Sequence, residues 1–141
     1  FLDTSVLTSA MISTHLHHEM SLRHLQRIQR KEVKGAISTH SLAECYANLT
    51  AYPISPRILP EIAERLIQEN ILSLFTVVEL STNDYRSAIE RVRLRGLRSG
   101  AIFDALILQA AIKKKAEALL TWNTEDFTRL IPDGEIEILK P

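Results

Sequence analysis

The chain has a single cysteine, Cys45, and no net charge: 17 lysines and arginines balance 17 aspartates and glutamates. One thiol excludes an internal disulfide framework and suits a reducing compartment, so a cytoplasmic location is expected. The charge balance excludes a global field that would gather polyanions, and any such contact must come from a local patch. No apolar run approaches the roughly 20 residues needed to span a bilayer, so no membrane association is expected. No signal peptide is evident. The sequence opens on FLDTSVL, already strand-like, so residues before Phe1 are expected to lie outside it. There is no repeat, low-complexity tract or internal linker. What is present is 45% hydrophobic residues in 141. That is enough for a sizeable core, unlike a disordered chain, and fits one domain over residues 1–141.

Periodicity divides the chain into alternating elements. FLDTSVL begins as a short buried strand and turns near Asp3. Leu22, Leu25 and Ile28 predict a helix ending near Glu32, and Gly35 punctuates it. Residues 36–39 (AIST) read as a strand, and 41–49 (SLAECYANL) as a helix with Leu42, Cys45, Tyr46 and Leu49 on one face. Ser41 is placed to cap that helix, with Glu44 at the capping-box position. AYPISP is a loop, because two prolines cannot continue a helix, and Pro60 opens the next one. LFTVVEL (74–80) is a β-branched strand. A helix starts over Ser81 to Asp84, and Gly96 and Gly100 flank a turn before another. ALLTW (118–122) is a strand, NTEDFTRL a turn and short helix, and EIEIL (135–139) an edge strand. This order predicts an α/β protein with helices on both faces of a parallel sheet.

In such a sheet, ligands bind beyond the carboxyl ends of the strands. Asp3 ends the first strand, Asn123 follows ALLTW, and Asp126 lies three residues on. Glu44 is a turn into the helix after the second strand, and Asp104 is an acid beside the apolar stripe of GAIFDALILQAAIKKK. Carboxylates converging on one point raise one another's pKa values, a conflict a divalent cation resolves. Oxygen donors suit Mg2+ or Mn2+ rather than zinc. Local roles stay open for each residue. Asp3 can cap a turn, Glu44 can complete a capping box, and Asp104 can cap its own helix with Phe103 and Leu108 stapled across it. Asn123 and Asp126 can be turn formers.

FLDTSVL, SLAECYANLT, SGAIFDALILQAA and LLTWNTEDF, in that order and rough spacing, resemble the PIN-domain ribonucleases, especially the VapC-type toxins of bacterial toxin–antitoxin pairs. These stretches span nearly the whole chain. The resemblance implies a three-layer α/β/α sandwich with a central parallel sheet of about five strands. It implies an acidic pocket binding Mg2+ or Mn2+ that hydrolyses RNA phosphodiester bonds. Asp3, Glu44 and Asp104 match the family's three core acids. Asn123 stands where many members carry Asp and a good number Asn; Asp126 is the alternative fourth carboxylate, so the count of metal ions, one or two, stays open. On this reading Asp3 and Asp104 are direct ligands. Glu44 holds a metal-bound water or a second ion, and Asn123 and Asp126 orient water. Thr4, Ser5 and Thr121 are the hydroxyls expected to fix the carboxylates, with strand-end hydrogen bonding their plainer role. The family also implies a homodimer and a cognate antitoxin laid across the active-site side.

Arg86, Arg91, Arg93, Arg95 and Arg98 lead toward Asp104. The last four are the expected phosphate contacts, against a solvated helix face as the alternative. Trp122 is placed either to stack on a base or to be buried beside the sheet. Lys113 to Lys115 complement a helix C-terminus. His15, His17 and His18 lack the cysteines of a zinc pattern and read as a solvated helix start; His40 approaches the pocket or is structural. Ile58, Leu59, Ile62, Leu66 and Ile67 serve either the core or a partner surface. The competing function is a non-catalytic RNA- or protein-binding module on the same fold, for which Asn123 leaves room. A haloacid-dehalogenase-type phosphatase is excluded by Ser5, where a second Asp is required. A response-regulator receiver is excluded because Ser81 and Thr82 follow the third strand.

Overall fold

The structure is a computed structural model that describes residues 1–131 and 135–141. Helix α1 spans Thr4–Met11 and α2 His18–Gln29; strand β1 (Ala36–Ser38) leads into α3 (Thr39–Ala51). Helix α4 (Pro60–Ile67) runs on into a π turn at Gln68–Leu72, followed by β2 (Thr76–Val78) and α5 (Thr82–Leu94). Helix α6 (Ala101–Lys113), β3 (Ala118–Leu120), α7 (Thr124–Leu130) and β4 (Glu137–Leu139) complete the chain.

The sheet is parallel throughout. β1 pairs with β2 in register Ala36 to Thr76, and β3 with β4 in register Ala118 to Glu137. The segment Phe1–Asp3 joins these two ladders. Leu2 N–H donates to the Ala36 carbonyl at 3.0 Å, and Asp3 N–H donates to the Leu120 carbonyl at 2.9 Å. Spatial order is therefore β2, β1, the opening segment, β3, β4. Successive strand residues point to opposite faces, and the core divides accordingly. Phe1, Ala36, Val78 and Leu119 join the cluster of Leu106, Ile107, Phe127 and Leu130 from α6 and α7. Leu2, Ile37, Val77 and Leu120 face the other cluster, built with Val6, Leu7, Leu49 and Ile71 from the first four helices and the π turn. The result is a three-layer α/β/α sandwich. Each fully buried Leu or Ile contributes about 1.5–3 kcal/mol. Packing is tight at Gly35, where a Cβ would sit 2.7 Å from the Phe75 ring and 2.8 Å from Ile28.

Several boundaries differ from the sequence reading. The opening strand contracts to Leu2, because Asp3 already caps α1, accepting from the Thr4 and Ser5 N–H groups. Helix α3 begins at Thr39 rather than Ser41. Ser38, extended at φ −82° and ψ 149°, is its cap and accepts from His40 N–H at 3.1 Å. Ser41 is buried inside the helix with its hydroxyl unpartnered among the described residues, and Glu44 completes no capping box there. Helix α2 starts four residues before Leu22 and stops at Gln29. Lys31 adopts φ 60° there, and paired Lys31 and Glu32 amides close the helix end on Ile28 and Arg27. Helix α5 starts where the sequence placed it, and the structure adds a capping box between Ser81 and Asp84, with Lys113 donating to Asp84 Oδ2 at 2.7 Å. Within the apolar segment 58–67, Ile67 is buried, Ile58 and Leu66 are half-buried, and Leu59 and Ile62 are exposed.

Candidate active site at the carboxyl edge of the sheet

Asp3 lies where the opening segment leaves the sheet, and it is 3% exposed. Its Oδ1 accepts from Thr4 N–H at 2.6 Å. Its Oδ2 accepts from the Ser5 hydroxyl at 2.6 Å, the Thr121 hydroxyl at 2.8 Å and Ser5 N–H at 3.3 Å. Burial raises the pKa of this carboxyl above the ordinary value, with the Ser5 and Thr121 hydroxyls and the Ser5 and Thr4 amides opposing. The Ser5 hydroxyl also accepts from Trp122 N–H at 3.1 Å, and Thr121 Oγ1 accepts from Asn123 N–H at 2.9 Å. These bonds lock the start of α1 to the end of β3.

Helix α3 carries Glu44 to the same edge. Its Oε2 accepts from the Thr4 hydroxyl at 2.8 Å and stands 3.8 Å from His40 Nε2. Asp104 is the fourth residue of α6, whose cap is Gly100 with no side-chain bond. It therefore caps nothing. It receives no hydrogen bond from the described residues, and the exposed Phe103 ring beside it packs on His40 instead of stapling to Leu108. Burial raises its carboxyl pKa to about 7, helped by the negative charges of Asp3, Asp126 and Glu44 and opposed by Arg129. That pattern is the electrostatic signature of four acids brought from four elements to one region.

Asp126, in the first turn of α7, is paired with Arg129. Asn123 caps α7 by position but makes no side-chain capping bond, and it is exposed. Arg129 was not singled out from the sequence. Its spacing of three residues from Asp126 on a short helix was the available signal.

The four arginines are placed differently from one another. Arg91 donates to both Glu135 oxygens, at 2.6 and 2.8 Å, and to the Leu130 carbonyl at 3.3 Å, so it fastens α5 to the edge of the sheet. Arg93 lies 3.9 Å from Glu90, and Arg95 and Arg98 are exposed. Trp122 is half-buried: its ring stacks on His17 at 3.8 Å between centroids, and its indole N–H donates to Ser21 at 2.9 Å. The histidines of the first loop are thus more than a solvated start. His15 lies 5.8 Å from the Tyr52 ring, and His18 Nδ1 is 3.2 Å from the Ser9 carbonyl.

The donor set consists of carboxylates and one amide, which suits a hard cation and not zinc. Among the described residues, no three His, Cys, Asp or Glu side chains stand close enough to cage an ion. Mg2+ needs no such cage. It keeps several waters and binds through one or two carboxylates and a substrate phosphate. Asp104, without a hydrogen bond and crowded by like charge, is the group that such an ion would satisfy.

The sequence profile of the PIN domain matches residues 1–130. No curated protein matches the chain. Among solved structures, the VapBC2 complex of Rickettsia felis bound to a promoter DNA fragment is 23% identical at a TM-score of 0.68, covering 99% of this chain and 96% of that one. VapC20 of Mycobacterium tuberculosis, a sarcin–ricin-loop-cleaving toxin, is 15% identical at a TM-score of 0.71, covering 91% and 92%. FitAcB of Neisseria gonorrhoeae is 16% identical at 0.65, covering 99% and 95%. No helix among the described residues is long and apolar enough to cross a membrane. With its parallel sheet, its two helical layers and its acids gathered where the strands end, the chain belongs to the PIN domain family.

Proposed function

We propose that this chain is a divalent-metal-dependent endoribonuclease, one domain over residues 1–141, and the toxin of a toxin–antitoxin pair. The observation that carries the reading is Asp104 at the carboxyl edge of the parallel sheet, its pKa raised first by burial and further by the charges of Asp3, Asp126 and Glu44. When bound, Mg2+ or Mn2+ supplies charge neutralisation at the scissile phosphate and a more acidic water. Asp104 and Asp3 are the residues assigned to hold it. Asp3 reaches that role with its orientation set by Thr4, Ser5 and Thr121. Together with Asn123 at the cap of α7 and Asp126 on its first turn, Glu44, steadied by Thr4, orients water around the phosphate. Arg93, Arg95 and Arg98 remain the candidates for phosphate contact, without Arg91, which is tied to Glu135. A homodimer, a cognate antitoxin and a cytoplasmic setting go with the toxin reading. The solved relatives include toxin–antitoxin complexes on DNA.

The absence of a closed three-ligand cluster among the described residues favours a second reading, a binding module that holds RNA or protein without cutting. One experiment separates the two. Total cellular RNA is incubated with the purified protein in Mn2+, Mg2+ or EDTA, beside Asp104→Asn. Metal-dependent cleavage abolished in the variant is the expected result. Folded protein that binds RNA and cuts none in any metal would replace the nuclease with the binding module.

A further inference from the structure

Phe103 is 47% exposed, on a helix whose next five positions include the buried Ala105, Leu106, Ile107 and Leu108. Its ring is not loose. It lies nearly parallel to the His40 imidazole, with centroids 5.2 Å apart and planes 14° from each other, an offset stack. His40 is in the first turn of α3, and its Nε2 is buried, 3.8 Å from Glu44 Oε2. The phenyl is therefore held in one orientation, adjacent in sequence to Asp104 and backed by a residue beside Glu44.

We propose that the Phe103 ring, backed by His40, is the platform on which one unpaired base of the RNA stacks when its phosphate lies at the acids. This rests on the nuclease reading above and adds to it the state of the substrate: a single strand or loop, since a base within a duplex offers no free face. A base hangs one sugar away from its phosphate, so a phosphate among Asp3, Glu44 and Asp104 brings a base to the residues bordering them. Phe103 adjoins Asp104 in sequence and stacks on His40, which stands 3.8 Å from Glu44. Trp122 is less open than Phe103: it is half-buried, its ring is stacked on His17 and its N–H is given to Ser21. Stacking accepts any base, so the platform sets position and strandedness and leaves base identity to other contacts.

The test uses single-stranded oligonucleotides carrying 2-aminopurine, whose fluorescence is quenched on stacking, with Ca2+ in place of Mg2+. The parent is compared with Phe103→Leu, which keeps apolar volume and loses the π face, and with Phe103→Tyr, which keeps both. Expected are quenching by the parent and by Phe103→Tyr, binding weakened about 5- to 100-fold in Phe103→Leu, and unchanged thermal unfolding. In the cleavage assay the Leu variant raises KM and leaves kcat nearly intact. Equal binding and quenching by parent and Leu variant overturn the platform even if RNA is cleaved normally. A Leu variant that changes oligomeric state on a sizing column, with oligonucleotide binding intact, also overturns it and assigns the ring to a protein interface. A parent that binds and quenches but never cleaves leaves the platform standing and removes the catalytic reading alone.

Discussion

Replacing Asp104 by Asn should make the metal-free protein more stable while ending its activity. The folded Asp104 carboxyl holds its proton up to about 7, against an ordinary 3.8. Between those pH values the folded state binds more protons than the unfolded one, so stability falls as pH rises from about 4 to 7 and stays reduced above. Each pH unit between the two pKa values corresponds to about 1.4 kcal/mol. The whole gap would be about 4 kcal/mol if the group were sealed from water. Asp104 is half-buried, and solvent screening reduces the penalty to about 1–2 kcal/mol. Asn keeps the shape and removes the charge. Urea titrations followed by circular dichroism, in EDTA at pH 4 and pH 8, measure the difference. Asp104→Asn is expected to gain about 1–2 kcal/mol at pH 8 and almost nothing at pH 4. Saturating Mg2+ should stabilise the parent and leave the variant unmoved. A variant no more stable than the parent at pH 8 in EDTA would refute the claim that like charge and burial crowd this carboxyl.

Three further outcomes follow from the packing. Gly35→Ala forces a methyl against Phe75 and Ile28, and should lower the unfolding free energy by about 1–3 kcal/mol in the same titration. Lys31, at φ 60° just past α2, should gain about 0.5–1 kcal/mol when changed to Gly, read as a higher urea midpoint at unchanged slope. Cys45 is fully buried and its thiol is pushed up to about 12, so an aromatic disulfide reagent should label it only after denaturant is added.

The order of elements was legible where the period is clean: alternation in EIEIL at 135–139, helical spacing in Leu42, Cys45 and Leu49. Asp104 was legible as a misfit because a carboxylate beside an apolar stripe demands a reason. The failures share a different cause. Ser38 and Ser41 are equally good caps on paper, and only the extended backbone at Ser38 decides between them. Arg91 looked like one of four equivalent basic residues, and its partner Glu135 lies 44 residues away. His17 and Trp122 are separated by most of the chain, yet their rings stack. Local pattern carries local choices, while partners brought together by the sheet have no local trace.

The pairing of the opening segment with β3 has a consequence for how the protein is made. The Thr121 hydroxyl that bonds Asp3 lies 118 residues downstream of it. A ribosome extruding this chain delivers Asp3 118 residues before Thr121, so the sheet position beside Asp3 stays vacant over that whole span. Contacts of such long range form late and slow folding. A nascent chain released early, or stalled before β3, keeps the Thr4 and Ser5 bonds to Asp3 but lacks the Thr121 hydroxyl and the Leu120 carbonyl that dock it in the sheet. Copies truncated before β3 therefore hold Asp3 on α1 alone, without the strand that seats it in the sheet.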